Sequence, residues 1–168
     1  RVYRLAMYIT YNAFSRTFKK DIQKVKQFWK DTEAFLNKVY MRDIGVKFEL
    51  VNDERLITTE PSEEKFKISH NSSYVVGLST QVINDLIGEE NYDIGISISY
   101  TSSRGIRGLA IIDGGYRASD KGAAVATPTK DVIAHEIGHL FGARHTFSGS
   151  VSDPASEKTE YDRGQSIM

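Results

Sequence analysis

Three of the four histidines fall within twelve residues, AHEIGHLFGARH, from Ala134 to His145. Read as a helix at about 100° per residue, this stretch sets His135 and His139 one turn apart on a single face. Ile133, Ile137, Leu140 and Phe141 then share an apolar face, with Glu136 on the flank between the two. Imidazoles spaced in this way can bind one cation at about 2.0–2.1 Å each. A straight helix would carry any later ligand away along its axis. Gly142 removes that difficulty, because a glycine can take the left-handed conformation that ends a helix and turns the chain. His145 can then close on the same ion. Three neutral imidazoles leave a fourth coordination position for water, the arrangement of a catalytic zinc site. The Glu136 carboxylate is placed to accept that water's proton and to pass it to a leaving amine.

Such a site needs a frame. Val2 to Thr10 reads as a strand, and Phe18 to Tyr40 as an amphipathic helix with apolar steps of mostly three and four. Val46 to Val51 alternates as a second strand, and residues 53–73 read mostly as loop. Gly77 to Ile87 predicts a shorter helix, and Tyr92 to Tyr100 a strand carrying Ile94, Ile96 and Ile98. Leu109 to Ile112 and Ala123 to Ala126 follow as strands. In the segment TPTKD before the histidine stretch, a threonine cap with Pro128 in the first turn predicts the helix start. Strands alternating with helices imply an α/β layered domain over residues 1–168.

Composition narrows the chemistry. The 168 residues contain 22 lysines and arginines against 22 aspartates and glutamates, so no net field favours nucleic acid or an anionic membrane. No apolar run reaches membrane-spanning length. Cysteine is absent, which excludes a disulfide scaffold, a thiolate nucleophile and a cysteine zinc site within these residues.

HEIGHLFGARH resembles the zinc signature of the metzincin metallopeptidases, H-E-x-x-H-x-x-G-x-x-H. The terminal Ser166-Ile167-Met168 is similar to their Met-turn. The order YRLAMYIT, long helix, NYDIGISIS and RGLAIIDGG resembles the reprolysin-like (adamalysin-type) branch, and most closely its bacterial members. Thr146, where animal and venom reprolysins usually carry aspartate, and the lack of cysteine both depart from the animal pattern. The resemblance implies a metzincin-like twisted mixed sheet of α+β type with a long backing helix and an active-site helix. It implies zinc endopeptidase activity, with zinc on His135, His139 and His145, Glu136 as general base, and Met168 as a floor beneath the metal. It further implies secretion, a monomer, and an extended peptide bound along an edge strand, for which Gly108, Leu109, Ala110 and Ile111 are the candidates. An interior strand remains the other reading of that segment.

On the same resemblance, residues 1–142 form an N-terminal subdomain and residues 143–168 the start of a C-terminal one that stops at the Met-turn. Nothing in the sequence indicates calcium. His70, Arg104 and Arg107 read as solvated side chains, and the spacing of Tyr161 does not fit a transition-state role. A catalytically silent binding module with a structural zinc, and a small-molecule zinc hydrolase, stand as the alternative functions.

Overall fold

The computed structural model describes residues 1–66, 72–100 and 107–145. Five strands, β1 (Val2–Ile9), β2 (Lys47–Leu50), β3 (Ile94–Ile98), β4 (Gly108–Ala110) and β5 (Ala124–Ala126), form one twisted sheet in the order β2-β1-β3-β5-β4. β1, β2, β3 and β5 run parallel, whereas β4 is antiparallel to β5 and stands at the sheet's edge. Four helices accompany the sheet: α1 (Tyr11–Arg16), α2 (Ile22–Ile44), α3 (Ser72–Ile87) and α4 (Lys130–Leu140). This is the mixed α/β architecture that the strand and helix periodicities predict.

β3 shows how the layers form. All five of its residues are buried, because helices cover both faces of a largely parallel sheet. Its isoleucines point toward the α4 side, where Ile94 and the Leu140 backbone both crowd Gly115. Its small residues point the other way, and Ser97 Oγ lies 2.7 Å from Ser79 Oγ of α3. Ser79 also donates to the Ala124 carbonyl at 3.1 Å, tying α3 to β5 as well. The period of two therefore separates large from small side chains here, not dry from wet.

The long helix starts later than its periodicity suggests. Lys19 and Lys20 both have positive φ, 54° and 60°, which no helix accommodates. Asp21 then caps α2 by accepting from the backbone of Gln23 and Lys24. Phe18 still reaches the core, 5.1 Å from the Phe28 ring, but from the turn and not from the helix. α1 goes unanticipated, since six residues are too few to show a helical period. α3 begins five residues before Gly77, and residues 53–66 contain two short 3-10 turns within the expected loop.

α2 reaches α4 directly. The Tyr40 hydroxyl, buried near the end of α2, donates to the Ala134 carbonyl at 2.6 Å. Burial pushes the Tyr40 phenol far above its ordinary value, so it stays a donor. Tyr40→Phe should lower unfolding stability by about 1 kcal/mol; an unchanged denaturation midpoint would show that this bond contributes nothing.

Candidate metal centre and its buried carboxylate

The start of α4 differs from the expected one. Its N-cap is Thr129, and Pro128 lies before the helix and not in its first turn. The Thr129 side chain makes no capping bond to the helix; its Oγ1 instead accepts from Arg107 Nη2 at 3.3 Å. The helix is held at this end by side-chain contact with the segment leading into β4.

The other end is closed by two backbone bonds around Gly142. Gly142 N–H donates to the His139 carbonyl at 2.9 Å, and Ala143 N–H donates to the Gly138 carbonyl at 3.0 Å. This pair, with Gly142 at φ +90°, is a Schellman closure. Phe141 anchors the turn among aromatic rings, 5.2 Å from Tyr3 and 6.1 Å from both Tyr40 and Phe48. Reversal brings the Ala143 carbonyl to 2.8 Å from His139 Nδ1. A carbonyl only accepts, so Nδ1 carries the proton and Nε2 keeps its lone pair.

That lone pair faces the ring nitrogens of the other two histidines. His139 Nε2 lies 3.1 Å from His135 Nε2 and 3.2 Å from His145 Nε2, and the last two nitrogens are 2.9 Å apart. Three nitrogens around a tetrahedral ion at about 2.0–2.1 Å stand about 3.3 Å from one another. The observed triangle fits a divalent cation bound through three neutral imidazoles. Burial holds His139 below its ordinary pKa, which favours the neutral form that metal binding requires. Exposure rises from buried His139 through half-buried His135 to exposed His145, so the site opens on the His145 side.

Glu136 does not lie on an open flank. It is 4 % exposed, because β4 crosses over it. Where Gly108 would carry a Cβ, the Glu136 Oε1, Cγ and Cδ atoms already stand, Cγ at 2.7 Å and Cδ at 2.8 Å. Its Oε2 has no hydrogen-bond partner among the described residues. Desolvation pushes this carboxyl up to about 7. An orphaned carboxylate oxygen next in sequence to a three-imidazole cluster is a proton acceptor awaiting a partner.

The family model Reprolysin_5, of the metallo-peptidase family M12, matches residues 1–168. The chain belongs to the M12 metallopeptidase family. No curated protein matches it. Among solved structures, it is similar at 14 % identity and a TM-score of 0.63 to a chain in "Structure of a chaperone-substrate complex". The match covers 89 % of the present chain and 25 % of that one, so this M12 chain spans about a quarter of the other's length and shares the fold of that part.

Within the M12 frame, Gly108, Leu109 and Ala110 form edge strand β4, paired with Ala126, Val125 and Ala124 of β5. Ile111 follows the strand and donates its N–H to the Ala123 carbonyl at 3.0 Å. Met168, His70, Arg104 and Tyr161 lie outside the described residues.

Sequence reasoning passed over two contributors. Asp113, at φ 63°, donates its N–H to the His139 carbonyl at 3.0 Å and lays its carboxylate against Gly142. The Ala143 carbonyl orients His139, and no residue type announces a backbone group. The glycine pair after Asp113 was a signal in the first case, marking a turn tight enough to meet the helix end.

Two outcomes follow for this centre. Gly142→Ala places a methyl at φ +90° and against Asp113, and should cost about 1–3 kcal/mol while lowering zinc stoichiometry. Full metal content with an unmoved melting temperature would refute the role of the turn. The second concerns pH. In metal-free protein the folded state keeps the Glu136 proton up to about 7, whereas an unfolded glutamate releases it near about 4.3. Ionised Glu136 thus destabilises the fold, with no cost below the lower value and the full cost above the higher. Glu136→Gln should gain about 1–3 kcal/mol over the parent between those limits. A stability difference that is flat with pH, measured in chelator, would disprove this.

Proposed function

We propose that the chain is a zinc-dependent endopeptidase that hydrolyses peptide bonds in extended segments of protein substrates. Membership of the M12 family makes it a metallopeptidase by kinship. One observation supports the specific reading: three imidazole Nε2 atoms converge within 3.2 Å, and the residue next to the first of them, Glu136, has a buried carboxylate oxygen with no hydrogen-bond partner among the described residues. His135, His139 and His145 would hold the ion. A zinc ion held there supplies Lewis-acid polarisation of the scissile carbonyl and acidifies a water.

The remaining work falls to the protein. Glu136 Oε2 takes the proton of the attacking water and delivers it to the nitrogen of the departing amine, the work of a positioned carboxylate. β4 offers backbone donors and acceptors to an extended peptide, which would join the sheet as a further strand. Such recognition reads main chain, so it tolerates varied side chains, and adjacent surfaces would set preference. The family resemblance also points to action outside the cell.

Casein hydrolysis by the chain should vanish with a chelator and return with zinc. Glu136→Ala should bind zinc normally and lose about 10²–10⁴-fold in kcat. Undiminished hydrolysis by that variant would sink the assigned role, and zinc binding without any turnover by the parent would favour a binding module.

A further inference from the structure

Gly108 poses a question that the strand itself does not answer. Glycine weakens a strand interior and is kept where something else approaches closely. Its φ is not positive, so the backbone here would accept any residue. Nor does pairing demand it, since Gly108 stands opposite Ala126, which carries a side chain. The three nearest atoms that a Cβ would meet are all from Glu136: Oε1, Cγ at 2.7 Å and Cδ at 2.8 Å. Ordinary carbon contacts begin at about 3.5 Å, so a methyl at 108 would drive the carboxylate back by about 1 Å.

Resting on the peptidase reading above, we propose that Gly108 is a positioning residue for Glu136: the missing side chain on the edge strand is the cradle that fixes the carboxylate. The strand that would receive the peptide and the group that would move the proton are thereby set by one contact. A shift of the strand along its register would bring Leu109 or Arg107 over Glu136 and close the cradle. Substrate alignment and base alignment cannot then be varied independently.

The consequence is a specific kinetic signature. Displacing a proton-transfer group by about 1 Å can cost about 10²-fold while leaving peptide binding along the strand intact. Gly108→Ala should therefore lower kcat by about 10–100-fold, with KM within about twofold and zinc stoichiometry unchanged. A raised KM with unchanged kcat would mean that the strand yields instead of the carboxylate, and would overturn the proposal.

A thermal double-mutant cycle tests the contact without activity. In the zinc-loaded protein, Gly108→Ala should lower the melting temperature by about 3–6 °C when Glu136 is present. In the Glu136→Ala background, where the space is vacated, the same change should cost less than about 1 °C. Equal effects in both backgrounds would refute the cradle. Coupling in the cycle without hydrolysis by the parent would retain the Gly108–Glu136 contact and reject the peptidase reading alone.

Discussion

Three imidazole nitrogens set within about 3 Å of one another can all present lone pairs only if a cation sits among them. That arrangement is the constraint on which the structure turns. A helix supplies two of the imidazoles without effort, because residues four apart share a face. The third is reached only by stopping the helix at once, reversing the chain, and holding the reversed segment in place. The Schellman closure at Gly142, the Asp113 backbone bond to the His139 carbonyl and the aromatic packing of Phe141 all act on that single turn. The turn also orients the ring it follows, since the Ala143 carbonyl selects the His139 tautomer. Metal geometry and helix termination are one device.

The core is built to resist what this device asks of it. α4 lies on the isoleucine side of β3 and is tied to α2 through Tyr40, so its axis is set by two layers. With its apolar face buried against the sheet, the helix keeps its histidine face from rolling. Glu136 is the expensive member, a carboxylate almost without solvent. Without metal, its burial pushes its pKa up to about 7, so the ionised form costs stability at neutral pH.

Much of this was legible in the sequence, and the rest fails to be for physical reasons. The wheel positions of His135 and His139, the glycine hinge and the alternating isoleucines of β3 are local patterns that the chain must obey wherever it folds. The start of α2 departs from its periodicity because lysines at 19 and 20 take a left-handed conformation that lysine does not advertise. The α4 cap departs from the expected one because Thr129 stands at the cap position while its side chain accepts from Arg107. Burial of Glu136 is invisible on a helical wheel, since it depends on β4, a strand that meets it only after the sheet has assembled. Gly108, read alone, looks like a weak point in a strand. Only the atoms packed on it give it meaning.

The edge formed by β4 carries a last implication. Unpaired rims of sheets invite indiscriminate self-association, and proteins guard them by keeping them short, charged or covered. Here the edge strand is three residues long, Gly108–Ala110, half-buried, and one of the three is a glycine of poor β-propensity. Such a stub offers too few amide rungs to template a growing stack of copies. Brevity at this border is itself the guard.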